Sequence, residues 1–318
     1  MKTLAELPVS VRRRTHESAA GWLLRTGSAN GMSVSQLLGF LGAGGRRYID
    51  IRSAALWVGI EEGDDLESGG GDTIRYLGQL FWPPYLLRLK RPQICVACVN
   101  ESGFCHAVWE LCCFAVCPIH QRALVDACRS CGRRLRWFRP AVDVCDCGAY
   151  LEEHSASAPH TDMVWFASEI LTRSGSAGRL PHEEDCPFAG SFAWWRAVSL
   201  GGLMRILLAF GAQTGATPPN CGSLYRLSTA DWAELVCRSL KRLCLLSGSA
   251  SPANEERQSL RGLVWEGALE SIVLRHNSSC DRDAALALHQ SIFGEVPGAR
   301  LRRCQKDRRQ LELFGVPQ

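Results

Sequence analysis

Apolar positions along this chain recur mostly at helical spacing. Between residues 10 and 42 they predict two helices joined by a tight turn. The first covers 17–29, with Trp22, Leu23 and Leu24 on its apolar side, and Asn30-Gly31 supplies a left-handed stop. Ser33 can cap the second helix. Gln36 stands where it completes a capping box, and Leu37, Leu38 and Leu41 lie behind it. Helix, glycine turn and short helix form a helix-turn-helix-like pattern, a shape used for reading DNA and also for plain packing.

The stretch 61–72 is acidic and glycine-rich and predicts a loop or link. Its glycines lack the following Lys-Ser or Lys-Thr of a phosphate loop. A helix is predicted over 73–81, stopped by Pro83-Pro84, and a linker at 156–159. Beyond it, helical periodicity marks 163–172, 191–210, 229–246, 254–275 and 281–293, with Ser228 or Thr229 as cap of the third and a loop at 211–222. Trp194, Trp195, Leu203 and Leu207 recur at helical spacing and read as core.

Between 95 and 147 the periodicity gives way to a pattern of ligands. Cys95 and Cys98 form C-x2-C, Cys117 and His120 form C-x2-H, Cys128 and Cys131 form C-x2-C, and Cys145 and Cys147 form C-x-C. Seven thiols and one imidazole in four close pairs suit two tetrahedral Zn2+ sites, because each short turn presents two ligands to one ion. Sequential pairing joins the first two pairs and the last two. A cross-brace would instead join Cys95 and Cys98 with Cys128 and Cys131. Gly148 directly after the terminal C-x-C, as in zinc ribbons, favours the sequential order. Cys105, Cys112 and Cys113 lie between the first two pairs as potential substitutes. Trp109, Leu111, Leu124 and Leu135 supply a small core beneath the sites.

Four protein ligands close each site and leave no position for water, which argues against zinc catalysis. Neither His106 nor His120 opens an H-x-E box, and the chain has no H-E-x-x-H and no G-x-S-x-G, so these residues point to no catalytic group. With 16 cysteines a secreted disulfide scaffold is an option. The thiols outside the ligand set show no regular framework, however, and the N-terminal residues lack an apolar signal core. A protein of a reducing cytoplasm is expected. No apolar run reaches the length of a membrane span.

The net charge is only +4, but residues 86–139 carry nine basic side chains against three acidic ones. Arg12, Arg13, Arg14, Arg133, Arg134 and Arg136 are therefore candidate contacts for phosphate or for an acidic partner. A further basic run occupies 300–309. The reading is a mainly α protein in three parts. These are an N-terminal helix-turn-helix-like region (1–85), a double zinc-finger, zinc-ribbon-like module (86–155) and a C-terminal helical domain (156–318).

The ligand string, with Trp109, Leu111, Pro118, Leu124, Gly132, Leu135 and Gly148 between and around the pairs, resembles the TniQ/TnsD family. The stretch from Gly21-Trp22-Leu23 to Gln36-Leu37-Leu38 resembles the start of the same family, and the likeness covers residues 8–150. Val96, Phe104 and His106 depart from residues common there, without removing a ligand. The resemblance implies a non-enzymatic adaptor in transposon target-site selection. Its implied partners are target DNA or a CRISPR RNA-guided, Cascade-type complex, together with the AAA+ ATPase that regulates the transposase. A homodimer is compatible with this role. The alternative is a free-standing zinc-containing DNA-binding transcriptional regulator.

Overall fold

In the computed structural model the described residues are 6–41, 68–69, 73–81, 86–88, 90–153, 158–175, 193–212, 226–247, 254–275 and 278–294. The chain forms two compact units. One comprises 1–189 with 219–237, the other 190–218 with 238–318. Most of the acidic glycine-rich stretch, the core of the linker, most of the loop 211–222 and the basic run 300–309 lie outside the described residues.

The first unit opens with α1 (Ala19–Ala29) and α2 (Val34–Phe40). Ser18 caps α1 through Gly21 N, so the helix starts two residues later than its apolar pattern suggests. The expected Ser33–Gln36 capping box closes α2, and Gly31 takes φ +65° in the turn between them. Buried Glu17 accepts from Arg14 N at 2.9 Å and from both Nε and Nη2 of Arg25, at 2.8 and 2.7 Å. This fork ties α1 to the irregular segment before it. The start of α1 meets the metal-ligand region closely. Ser18 N donates to Cys105 O at 2.8 Å, and a Cβ on Gly21 would stand 2.8 Å from that of Cys105.

Residues 73–81 are not a helix. Three short strands, β1 (Ser68–Gly69), β2 (Thr73–Tyr76) and β3 (Gln79–Phe81), make an antiparallel sheet in that order. Leu77 and Gly78 both take positive φ, +50° and +69°, giving a two-residue turn whose twist suits a hairpin. The Tyr76 hydroxyl holds the hairpin against residues 107–110 by donating to Ala107 O and contacting Glu110 Oε2, each at 2.9 Å. Tertiary contacts thus outweigh the local helical pattern.

α3 (Val96–Ser102), a 3-10 turn (Ala107–Glu110) and the hairpin of β4 (Val116–Cys117) and β5 (Arg122–Ala123) follow. Trp109, Leu111, Leu124 and Leu135 are all buried, as their small-core reading requires. α4 (Thr161–Arg173) packs against β4. α7 (Thr229–Ser247) is capped by the reciprocal pair of Ser228 and Asp231, and its residues up to Cys237 belong to this unit.

The second unit contains α5 (Ala193–Ala197), α6 (Leu200–Gly211), the rest of α7, α8 (Asn254–Arg261), α9 (Glu266–Arg275) and α10 (Ser279–Phe293). Every residue of α6 is buried. Trp195, Leu203 and Leu207 are core, as their spacing suggests. Two helices expected to be continuous are broken. At Val198-Ser199 the chain turns because buried Asp281 accepts from Ser199 N at 2.7 Å and from its Oγ at 2.6 Å. Between α8 and α9 the backbone leaves the helix, and Trp265 N donates to Ala209 O at 2.8 Å. In both places a distant acceptor takes a donor that an uninterrupted helix would keep for itself.

Candidate metal centres

Two knots of ligands form in the first unit. Cys95, Cys98, Cys117 and His120 lie together, and so do Cys128, Cys131, Cys145 and Cys147. Within each quartet the donor atoms are within 4.8 Å of one another. The geometry is that of sequential pairing, not of a cross-brace. Each ligand sits on a short element suited to it. Cys95 precedes α3 and Cys98 lies in its first turn, while Cys117 ends β4 and His120 lies in the loop to β5. The second quartet rests on two turns. Gly132 (φ +69°) and Gly148 (φ +86°) take left-handed backbone that admits glycine freely, and their N–H groups donate to Cys128 O and Cys145 O at 2.8 and 2.9 Å.

Distances test whether these donors fit zinc. Tetrahedral bonds of about 2.3 Å to sulfur and 2.0 Å to nitrogen put sulfurs about 3.8 Å apart, and sulfur about 3.5 Å from nitrogen. Cys98 and Cys117 Sγ are 3.6 Å apart, and His120 Nδ1 is 3.5, 3.2 and 3.6 Å from the sulfurs of Cys95, Cys98 and Cys117. In the second quartet Cys128–Cys147 and Cys131–Cys145 are each separated by 3.8 Å. Three thiolates with one imidazole, and four thiolates, are both donor sets that zinc takes as closed structural sites. Either quartet could hold such an ion.

The surroundings suit thiolates. His120 turns Nδ1 inward while its Nε2 meets Glu101 Oε1 at 2.9 Å, which fixes the tautomer a metal needs. Hydrogen bonds from Cys95 and Cys98 lower the Cys117 pKa to about 3, and the same contact with Cys117 raises that of Cys98. Only a cation allows all the thiols of the quartet to ionise together. At the second quartet, a hydrogen bond from the Arg133 side chain is the main cause that lowers the Cys131 pKa to about 6. Cys105 and Cys112, by contrast, are fully buried, and burial raises their pKa values to about 11 and 12. They stand outside both quartets as ordinary core thiols.

The basic residues behave differently from a simple phosphate-binding face. Arg88 is buried and pairs with Asp126 at 2.8 Å, and Arg134 meets the same carboxylate oxygen at 2.6 Å. Arg136 pairs with Asp146 at 2.5 Å, while Arg139 is buried. Arg122 and Arg129 face Glu153 and Glu152. Around the second quartet this positive charge partly offsets four thiolates, whose sum with a dication would be −2. At the N-terminus, exposed Arg12 offers its carbonyl to Arg25 at 2.7 Å. Arg13 donates to Glu17 O at 3.1 and 2.9 Å, and Arg14 reaches Ser102 O and lies over the Phe104 ring.

Three polar residues without a sequence signal organise this region. Besides Glu17, Asp126 accepts from Arg88, Arg134 and Thr229 N. Buried Gln93 donates to the carbonyls of Trp109, Leu111 and Phe114 at 3.0, 3.1 and 2.8 Å, and accepts from Thr229 Oγ1 at 2.8 Å. Single polar residues have no spacing to betray them.

With this geometry in view, comparison with known families gives a match. The TniQ family model covers residues 8–124, from the segment before α1 through the first quartet to β5. Residues 8–124 form a TniQ domain. TniQ proteins form a transposition-associated family. The second quartet and the second unit lie beyond the matched residues, and no curated protein matches the chain. Among the described residues no helix is long and apolar enough to cross a membrane.

Proposed function

We propose that this protein, through its TniQ domain, is an adaptor in transposon target-site selection. It marks the insertion site by touching DNA or by docking on an RNA-guided, Cascade-type complex, and it recruits the AAA+ ATPase that regulates the transposase. Two structural zinc ions, held by the two quartets, keep its docking surfaces in shape. The observation that carries the reading is the TniQ match, which spans the α1–α2 pair and the first quartet together. Supporting it, the ligand sets are closed, so the metals serve shape and not chemistry. The ion pairs of Arg134 and Arg136 favour a protein or a guide complex over bare phosphate as the main contact, since phosphate would have to displace Asp126 and Asp146.

The test is co-purification of the full chain with an AAA+ ATPase and an RNA-guided complex from a transposon that encodes this protein. Recovery of either supports the adaptor. Recovery of neither, together with sequence-selective and salt-dependent DNA binding by the protein alone, would replace it with a free-standing regulator.

A further inference from the structure

We propose that the second unit binds one divalent transition-metal ion between α9 and α10, through Glu266, Glu270 and His289. Glu266 and Glu270 are one helical turn apart on α9, and His289 comes from α10. The three donor atoms lie within 4.8 Å of one another. Two carboxylates at this spacing repel each other, and a cation between them would relieve that repulsion.

The imidazole is the second, independent sign. His289 is 1% exposed, and neither of its ring nitrogens makes a hydrogen bond. Its Nε2 comes to 3.3 Å from Glu266 Oε1, a contact without hydrogen-bond direction. Stacking on Phe293, with centroids 4.8 Å apart, helps to fix the ring. A buried imidazole usually has a partner for its nitrogens, and a metal ion would take one lone pair.

The donor set names the class of ion. One imidazole and two carboxylates suit zinc, manganese or cobalt, and their two negative charges match a dication. Bonds of about 2.1 Å would bring the donors to about 3.4 Å from one another. Both glutamates are half-buried, so their outer ends can turn to close that gap. The site contains no sulfur and belongs to the unit without the thiolate quartets. It does not depend on the adaptor reading. Its occupant would brace α9 against α10, the most extensively packed helix pair of that unit.

Cobalt distinguishes this site from the others. The full-length protein, with its thiolate sites filled by zinc, is titrated with Co2+. The expected result is saturable uptake of one further equivalent, with weak d–d absorption and without the intense near-ultraviolet band of cobalt bound to thiolate. The melting temperature rises with uptake. Glu270→Gln abolishes the uptake while metal analysis still finds the zinc of the thiolate sites, and His289→Gln does the same if it folds. Absence of saturable uptake overturns the proposal, as does uptake unchanged in Glu270→Gln or uptake seen only with the thiolate band. The cluster would then be an ion-paired contact between helices.

Discussion

The two thiolate quartets of the first unit share a chemistry and differ in setting. Cys95, Cys98 and Cys117 are buried, and their supports are a helix and a hairpin that packs against α4. The second quartet leaves Cys147 exposed and Cys131 half-buried, on turns joined only by isolated bridges such as Ala127–Arg134 and Val144–Tyr150. In the first, ligands grow out of elements that also bury Trp109, Leu111 and Phe114. In the second, Leu135, Trp137 and Leu151 are buried beneath turns that include no helix or paired strand. Loss of metal should therefore spread from the first site and stay local at the second.

Removing one ligand from each site tests this difference most severely. Binding by structural zinc in isolated fingers is worth roughly 10 to 16 kcal/mol, against a typical domain stability of about 5 to 15 kcal/mol. Cys117→Ser is expected to unfold the first unit, with exchange protection lost from α1 to the β4–β5 hairpin. Cys131→Ser should lose one zinc and lay open only the region around 127–151 to proteolysis. Metal analysis with hydrogen exchange on both variants checks the contrast. Equal spread in both would mean that the two quartets are supported alike.

The contrast also shows what a sequence can carry. The ligands were legible because short spacings with Gly132 and Gly148 leave few alternatives, and the Ser33–Gln36 box was legible because capping is local. The hairpin at 73–81 was not. Its decisive feature is Leu77 at φ +50°, a conformation that leucine rarely takes, held there by contacts such as that of Tyr76 with residues 107–110. The breaks at Ser199 and before Glu266 depend on Asp281 and Ala209, distant in the chain. A count of basic residues likewise overstated the free charge, because Asp126 and Asp146 come back to meet Arg88, Arg134 and Arg136 only in the fold.

Glu101 sharpens the comparison from the side of the first site, for it alone orients a metal-ligand histidine. Its side chain is 68% exposed, so water can partly replace it. Glu101→Gln is expected to weaken zinc at the first quartet about tenfold, about 1.4 kcal/mol, at the mild end for such partners. Competition with a chelator measures the change. Zinc at the second quartet should be retained as in the parent protein.

A smaller difference between the sites is their response to acid. His106 packs beside the first quartet on Phe104 and Trp109, and burial, followed by the charge of His16, lowers its pKa below 6.5. The unfolded chain then binds more protons than the folded one as pH falls through about 6.5, so stability is full above that pH and declines below it. The decline ends once the lowered folded pKa is passed. His106→Gln should remove this slope, which amounts to less than about 1.4 kcal/mol per pH unit. Denaturant unfolding of both proteins at pH 7.5 and 5.5, with zinc in excess, isolates the difference from acid loss of metal.

The smallest effect concerns the turns themselves. The second quartet has glycine at both left-handed positions, whereas the first has Gln121 at φ +49°, directly after His120. A non-glycine residue there carries strain of order 1 kcal/mol. Gln121→Gly relieves it but gives the unfolded chain more freedom, which takes back part of the gain. The expected net is a stabilisation of a few tenths of a kcal/mol, up to about 1 kcal/mol, with zinc affinity unchanged or slightly raised. Gly132→Gln, which imposes on the second site the residue tolerated at the first, should cost about 1 kcal/mol and act on residues 127–151 alone. If Gln121→Gly destabilises instead, the Gln121 side chain makes a contact that outweighs its backbone strain, and the hairpin loop is held by more than its metal.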